Sequence, residues 1–374
     1  MDTLTHALSG ALVARLVCAR APLPALPEPI PLAPQARFAA AWDGRAGALA
    51  PWQAVTVGLV AGAFPDIDAL TQLAGDMAYL RHHRGVTHSV LLAPLWALLV
   101  ALAMRWCFAS TRAQHGGWKP LVPIALAAIL MHIAGDWITQ FGTMMLEPLS
   151  DARFGLGALF IIDLVFSGLL VGGLVLAAIW PRRRWPAVLG LAAAAAWVGL
   201  AWSGKQEALA IGEQHARAGG LQVEWIEAMP RPASPFNWTV VVFDGQTYHL
   251  AHVNTRRSER LVATADDHFI RRFSAPYLPA GQAEWQRIAR FGGAGTPGWV
   301  RQAWEHEALA TYRWFALAPV LVEARESGAE RCAVFRDLRF DFPGRDEAPF
   351  RYGVCLREGA ARLVKMEGGT TRPV

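Results

Sequence analysis

Two short motifs pair residue types that bind metal ions. His132 and Asp136, in the sequence HIAGD, are four residues apart, so a helix places both side chains on one face within reach of a single cation. Because an ionisable pair is costly in hydrocarbon, metal binding is favoured over a core hydrogen bond between the two. Asp66 and Asp68 end an apolar run in the sequence FPDID. Each could bind the metal, or one could orient a histidine or accept a proton from water; a polar helix end meeting solvent is the alternative.

A third motif, RHHRGVTH, holds three histidines and two arginines in eight residues. Neutral imidazoles suit Zn²⁺, Mn²⁺ or Fe, whereas guanidinium groups suit phosphate or carboxylate oxygens. We predict His88 as a ligand together with at least one of His82 and His83, and take His83 as that residue. Arg84 is predicted to contact substrate. The alternative is a basic loop that binds anionic lipid headgroups.

Three further candidates lie in or near apolar segments. His6 follows Asp2 by four residues, and we predict His6 as another ligand. Asp163 stands in the apolar run LFIIDLVF, where it serves either as a ligand or partner of a ligand, or as a helix-to-helix hydrogen bond. Glu147 falls in a predicted loop, where a solvated acid is the alternative to a catalytic base.

Together these residues indicate a hydrolytic metal site. Carboxylates mixed with imidazoles fit one or two divalent metal ions, Zn²⁺ first with Mn or Fe as alternatives, better than copper or an iron–sulfur cluster. Such a metal lowers the pKa of bound water toward neutrality and polarises a phosphoryl or carbonyl oxygen. The predicted metal ligands are His6, Asp68, His83, His88, His132 and Asp136. The predicted catalytic residues are Asp66, Asp68 and Arg84.

Membrane helices are the elements that must position these residues. The chain is 53% hydrophobic and 17% charged, which is too apolar for an ordinary soluble protein. Six apolar runs approach the ~20 residues needed to cross the hydrocarbon core; they are residues 4–20, 52–72, 88–108, 120–140, 157–180 and 186–203. We therefore predict an α-helical polytopic membrane domain of about six helices over residues 1–204.

Arginines and lysines in the short connections predict the orientation of these helices. They cluster after the first, third and fifth runs, as at residues 182–184, and so place those loops in the cytoplasm. The His/Asp candidates and the C-terminus then lie at the outer face of the inner membrane, and the stretch from Pro22 to Pro34 is an extended cytoplasmic linker. The net charge of +5 arises largely from such flanking arginines, without the Lys/Arg stripe that a nucleic-acid partner requires.

From about Lys205 the pattern becomes that of a soluble domain. The segments FNWTVVVFDGQTYHLAHV and RCAVFRDLRFDF are typical of strands in hairpins, and a helical stretch is predicted near residues 298–323. We predict a soluble, extracytoplasmic α+β or mostly-β domain over residues 205–374. An antiparallel hairpin would place Cys332 opposite Cys355, as a disulfide or as two buried thiols. No C-x-x-C spacing suggests a thiolate zinc site.

The motifs MDTLTHALSG, FPDID, HHRGVTHS and HIAGDW together resemble a family of bacterial inner-membrane metal-dependent hydrolases, also described as LexA-binding or YdjM-like. The resemblance covers roughly residues 1–180, and FNWTVVVFDG and YRWFALAP resemble the C-terminal extension of its longer members. It implies a membrane-bound hydrolase of poorly defined substrate, with family positions at His6, Asp66, Asp68, His88, His132 and Asp136. The order of these residues is also similar, more weakly, to zinc-dependent phospholipase C and nuclease P1, which use an N-terminal tryptophan where this chain has methionine.

The leading interpretation is a metal-dependent hydrolase that cleaves a phosphoester or other lipid-linked ester at the outer face of the membrane, with membrane lipid as its partner. The second is a transporter that moves an ion through the same ligands, although transport sites usually lie near the membrane midplane. The third is a non-catalytic regulatory protein that binds a cytoplasmic partner through loop 21–50.

Overall fold

The computed structural model describes residues 1–18, 49–112, 116–357 and 360–374. The chain folds as two compact units. The first, the helical unit, comprises Met1–Ala69, Arg84–Leu156 and Ile161–Gly199. The second, the sheet-rich unit, comprises Leu70–His83, Gly157–Phe160 and Leu200–Val374. The linker predicted from Pro22 to Pro34 lies outside the described residues, as does most of loop 21–50.

The N-terminal part of the chain is helical. Its α-helices are α1 Thr3–Val17, α2 Pro51–Ala63, α3 Asp76–His82, α4 Ala93–Met104, α5 Ala109–Arg112, α6 Val122–Trp137, α7 Leu164–Ile179 and α8 Trp185–Gly219. Short 3₁₀ helices occur at Phe64–Ala74, Val86–His88, Arg105–Cys107 and Lys119–Leu121. Aspartates begin two of the α-helices, because Asp2 caps α1 and Asp163 caps α7 by accepting a backbone N–H of the first turn.

Fewer helices than predicted have the length of a membrane span. Within the described residues, three helical stretches are long and apolar enough, namely Pro51–Ala74, Lys119–Trp137 and Trp185–Gly219, and a fourth results if Asp76–His88 and Ala93–Cys107, bent by 82° at their break, form one span. Helices α1 and α7 are apolar but only 15 and 16 residues long. Six spans are therefore not confirmed, because the Asp163 cap delays α7 and a break before Ala93 interrupts the run 88–108.

Glycines let α1 and α2 pack backbone to backbone. A Cβ added to Gly10 would lie 2.2 Å from the carbonyl oxygen of Gly58, and one added to Gly62 would lie 2.6 Å from the carbonyl oxygen of His6. Small residues at such positions allow the close helix contacts typical of membrane proteins. The contact places His6, near the start of α1, beside the end of α2, where the FPDID motif begins.

The sheet-rich unit contains two sheets, which confirms a sheet-rich C-terminal part. Its strands are β1 Trp225–Pro230, β2 Asn237–Phe243, β3 Thr247–Asn254, β4 Leu278–Pro279, β5 Gln286–Ala289, β6 Pro319–Ser327, β7 Glu330–Asp337, β8 Tyr352–Arg357, β9 Ala360–Glu367 and β10 Thr370–Pro373. One sheet has the order β1-β2-β3-β4 with β5 also on β3, and the other is the meander β10-β9-β8-β7-β6.

Short helices connect the strands of this unit: α9 Phe269–Ser274, α10 Trp299–Glu305 and α11 Ala310–Phe315. The helical stretch predicted near residues 298–323 is therefore too long. The chain becomes extended at Pro319 because the β-branched and apolar residues that follow pair with β7 in an antiparallel ladder.

Cys332 and Cys355 form a disulfide between β7 and β8. The two residues are direct partners in the antiparallel register of these strands, as the sequence symmetry predicted. Both are buried. Cys18 and Cys107 are not in disulfides.

Candidate metal centre

Four side chains of the helical unit offer ligand atoms that lie within 4.8 Å of one another: Asp66, His88, His132 and Asp136. Asp66 is in the 3₁₀ helix after α2, and His88 ends the 3₁₀ turn that precedes α4. The other two share one face of α6, as their four-residue spacing requires. Both imidazoles and the Asp136 carboxylate are fully buried, whereas the Asp66 side chain is 13% exposed.

Each histidine has its Nδ1 atom committed to an oxygen outside this group. His132 Nδ1 lies 2.6 Å from the carbonyl oxygen of Gly62, to which it donates. His88 Nδ1 lies 3.0 Å from Oδ2 of Asp68. In the neutral tautomers that these partners favour, both Nε2 atoms carry lone pairs. These two Nε2 atoms are 2.9 Å apart.

The two oxygens of Asp136 have different surroundings. Oδ1 lies 2.9 Å from both His6 Nε2 and Arg84 Nη2, and it also contacts the amino group of Met1. Oδ2 is buried and accepts no hydrogen bond from any described residue. It lies 3.1 Å from His88 Nε2 and 3.5 Å from His132 Nε2. One oxygen is therefore held by donors while the other faces the imidazole lone pairs.

Asp66 is arranged in the same way at the open side of the group. Its Oδ2 accepts a hydrogen bond of 2.6 Å from the Thr3 hydroxyl. Its Oδ1 lies 3.6 Å from His132 Nε2 and 3.8 Å from His88 Nε2. The centre thus opens at Asp66 and Thr3, and Thr3 is exposed.

This donor set fits a divalent metal ion. A tetrahedral ion with bonds of about 2.0–2.1 Å requires donor atoms about 3.3 Å apart. The separations that involve the two imidazoles run from 2.9 Å to 3.8 Å, and all four donors lie within 4.8 Å of one another. A fully buried carboxylate oxygen without a hydrogen bond lacks a positive partner. Two imidazoles with two carboxylates suit Zn²⁺, with Mn or Fe as alternatives. Each donor also has the outer hydrogen-bond partner that ligands of metal sites usually have.

Comparison with known proteins shows the family to which the part of the chain with these four donors belongs. The family model described as YdjM inner membrane protein matches residues 1–208, more than half of the chain. The chain belongs to the YdjM inner membrane protein family. All four donors lie inside the matched YdjM region. Most of the sheet-rich unit lies beyond it.

One curated relative is the protein YfhP of Bacillus subtilis (strain 168), which is described as uncharacterized. It is 27% identical over 128 residues, covering 34% of this YdjM family member and 37% of YfhP. The chain therefore spans just over a third of the length of that relative. No solved structure matches the chain.

Asp68 and His6, which were predicted as ligands, contact the donors from outside the four-residue group. Asp68 accepts hydrogen bonds at Oδ2 from the Arg84 backbone N–H at 2.9 Å and the Thr87 hydroxyl at 2.8 Å, beside His88 Nδ1. His6 faces Asp136 through Nε2, and its ring stacks on His132 with centroids 3.6 Å apart. Neither residue belongs to the four-residue group, and each contacts one of its members, Asp68 at His88 and His6 at Asp136.

Arg84, predicted to contact substrate, is buried inside the protein at 2% exposure. Its guanidinium contacts Asp136, donates to Thr139 Oγ1 at 3.0 Å and stacks on Phe141. Its backbone has a positive φ of 63°, a conformation that is strained for a side chain of this size. The guanidinium therefore holds Asp136. The strained backbone conformation of Arg84 occurs at the residue whose N–H donates to Asp68.

The remaining candidates lie outside the four-donor group. His83 belongs to the sheet-rich unit, where it stacks on Tyr79 at 4.6 Å, and His82 is exposed. Asp163 caps α7 and accepts a hydrogen bond of 3.1 Å from Trp197 Nε1 on α8, a helix-to-helix contact. Glu147 is partly buried.

Sequence reasoning missed the outer partners Thr3, Gly62 and Thr87. Gly62 acts through its backbone carbonyl, which no side-chain pattern reveals. Thr3 and Thr87 each lie within a motif that was singled out, three residues before His6 and directly before His88. A hydroxyl in the same motif as a ligand candidate was the available signal for these two.

Proposed function

We propose that this YdjM family member is a membrane-bound metal-dependent hydrolase that cleaves a phosphoester or other lipid-linked ester at the outer face of the inner membrane. The observation that carries the proposal is the convergence of two imidazole lone pairs and two carboxylate oxygens. Asp66, His88, His132 and Asp136 would hold the metal. When bound, a divalent metal supplies an activated water and polarises a phosphoryl or carbonyl oxygen.

The surrounding residues keep the donors in place for this chemistry. Asp68 and Gly62 hold the two imidazoles with Nε2 toward the centre, and Arg84 and His6 hold Asp136. Asp66 is the donor at the open side, where water would enter, and its Oδ2 atom, which accepts a hydrogen bond from Thr3, is the oxygen that would stay off the metal. The Oδ2 atom of Asp68 is occupied by its own donors, which leaves it a positioning role.

The position of the donors along their helices supports a surface site over a transport site. Asp136 is the next-to-last residue of the span Lys119–Trp137, whereas Asp66 lies within the span Pro51–Ala74, where α2 continues as a 3₁₀ helix. Transport sites near the membrane midplane are usually built where helices are interrupted at mid-depth. The position of Asp136 at the end of its span, and the exposure of Thr3 beside Asp66, instead suit a centre that opens at the membrane surface.

The basic residues support the outer face as the location. Arg15, near the other end of α1 from His6, donates to the carbonyl oxygens of Ala177 and Pro181 at 3.3 Å and 2.6 Å. Lys119 precedes α6, at the end opposite Asp136. Arg182 follows Pro181, which Arg15 contacts, so it lies at the same end of α1 as Arg15. Under the positive-inside rule the basic ends are cytoplasmic. The disulfide between Cys332 and Cys355 favours an oxidising compartment for the sheet-rich unit.

The test is hydrolysis by the detergent-purified, Zn²⁺- or Mn²⁺-loaded protein, using a panel of phospholipids and lipid-linked esters. We expect turnover that is removed by chelation and lost by at least about 100-fold in His88→Ala, as for removal of a ligand. His268→Ala, an exposed histidine at the start of α9, is the matched control and should keep activity. Equal turnover in wild type and His88→Ala contradicts the proposal. So does the absence of turnover of both phospholipids and lipid-linked esters by the metal-loaded protein.

A further inference from the structure

The stretch between the FPDID and RHHRGVTH motifs folds with the sheet-rich unit. Leu70–His83 belongs to that unit although the residues on both sides belong to the helical unit. Asp76, the first residue of α3, accepts a hydrogen bond of 3.0 Å from the Tyr352 hydroxyl. The same carboxylate forms an ion pair with Lys365 Nζ at 2.8 Å. Tyr352 and Lys365 face each other across β8 and β9, so both residues of one cross-strand pair bind the Asp76 carboxylate. We call this three-residue contact the grip.

Further contacts hold the same helix. The guanidinium of Arg81 lies 4.5 Å from the ring centroid of Trp314 on α11. Leu80 is fully buried. Burial opposes the charge on Lys365, but the hydrogen bonds that its ammonium donates to Asp76 and Glu367 raise the pKa of Lys365 above its ordinary value, so the ammonium stays charged at neutral pH. An ion pair, a hydrogen bond and a cation–π contact thus fix α3 on this unit.

The gripped segment leads directly into the metal centre at both ends. Asp68 precedes it and Arg84 follows it, and the Arg84 backbone N–H donates to Asp68 Oδ2 at 2.9 Å. The segment is therefore a loop closed by that hydrogen bond. Asp68 orients His88, and Arg84 holds Asp136. Ordering the loop reduces the conformational entropy lost when this hydrogen bond forms.

We propose that the sheet-rich unit positions the metal centre, through the grip of Tyr352 and Lys365 on Asp76. This inference rests on the proposed metal centre and assigns a role to the part of the chain that the family model does not reach. The grip keeps the loop in the conformation in which Asp68 and Arg84 meet. Tyr352 and Lys365 are positioning residues because they act through the loop and touch no donor.

The test compares Lys365→Met with Arg362→Met in the full-length protein. Both residues are on β9, but Arg362 pairs with Glu330 at 3.2 Å and has no part in the grip. The first readout is hydrogen–deuterium exchange of peptides that contain the Arg84 amide. The second is the affinity and visible absorption spectrum of bound Co²⁺, which report the geometry of the centre. Lys365→Arg is the conservative variant, in which exchange at Arg84 and Co²⁺ binding should both remain close to those of the wild type.

We expect Lys365→Met to speed exchange at Arg84 about 10-fold and to weaken Co²⁺ binding about 10–100-fold with a changed spectrum, while Arg362→Met changes neither. Unchanged exchange and unchanged Co²⁺ binding in Lys365→Met overturn the positioning role. If wild type binds no Co²⁺, the metal centre itself fails. The exchange measurement still decides in that case whether the grip controls the Asp68–Arg84 contact.

Discussion

The Nε2 atoms of His88 and His132 face each other at 2.9 Å. Each ring has an oxygen beside its Nδ1 atom that accepts a hydrogen bond from Nδ1–H, so in the neutral rings two Nε2 lone pairs would meet across this gap. Such a contact is stable only with a positive charge between the rings, either a metal ion or a proton on one Nε2. The buried Oδ2 of Asp136 lies 3.1 Å from His88 Nε2, so the same positive charge would also serve this carboxylate, and metal analysis separates the two solutions.

His6 should behave as a positioning residue and not as a ligand. Its Nε2 contacts Asp136 and its ring stacks on His132. We expect His6→Ala to weaken Zn²⁺ affinity about 10–100-fold, as is usual for loss of an outer partner, and His6→Gln to lose less because its amide can still donate to Asp136. Competition with a chromogenic chelator measures this. A complete loss of stoichiometric metal in His6→Gln would show that His6 is a ligand.

Gly135 should resist a substitution that normally stabilises a helix. Glycine to alanine within a helix gains up to about 1 kcal/mol, but a Cβ at Gly135 would lie 3.1 Å from Cε1 of His6. That ring is fixed between Asp136 and His132, so we expect Gly135→Ala to lower the unfolding temperature and weaken metal binding. Gly168→Ala on α7, where a Cβ meets nothing within 4 Å, is the control. An equal or higher unfolding temperature in Gly135→Ala contradicts this packing.

The disulfide predicts a defined count of reactive thiols. Cys332 and Cys355 are bonded to each other, whereas Cys18 and Cys107 are not in disulfides. After rapid acid quenching of cells and denaturation, we expect two alkylated cysteines per chain without reductant and four after reduction, because the chain has four cysteines. Intact-protein mass spectrometry reads the count. Four alkylated thiols without reduction would place the sheet-rich unit in a reducing compartment.

His252 should make the sheet-rich unit sensitive to mild acid. Burial, with the Arg231 charge adding to it, lowers the pKa of His252 from 6.5 to about 4. The unfolded chain therefore takes up the proton first, and stability is lost as pH falls from 6.5 toward 4. Relative to His252→Gln, the wild type should lose on the order of 2 kcal/mol by pH 5. Thermal unfolding at pH 7 and pH 5 tests this, and equal acid sensitivity of the two proteins would contradict it.

The sequence contained the donors but not their roles. Asp66, His88, His132 and Asp136 all lie in motifs that spacing and residue type singled out, because few other reasons put such groups beside apolar runs. The distinction between a donor and its outer partner depends on which atom of a ring or carboxylate points inward. For His6, Asp68 and Arg84 that is decided by contacts between segments far apart in sequence, such as the backbone approach of Gly10 and Gly58.

The strands were easier to predict than the membrane spans. Runs of β-branched and aromatic residues bounded by turn residues identified β2 and β3. The symmetric placement of Cys332 and Cys355 about a turn predicted that they face each other across two strands. Hydropathy marked apolar runs but not where helices stop. The cap at Asp163 shortens α7, and α1 ends at Val17, before the end of its apolar run. An apolar run by itself contains no sign of the 82° bend before α4.

The metal content of the detergent-purified protein tests the central claim most directly. Wild type, the double variant His132→Ala/Asp136→Ala and the control His268→Ala should be compared by mass spectrometry after supplementation with Zn²⁺, Mn²⁺ and Fe²⁺, with monodisperse elution as the check of folding. We predict stoichiometric metal in wild type and control, and its loss in the double variant. Equal and negligible metal in all three would contradict the metal centre and leave a proton to hold His88 and His132 together.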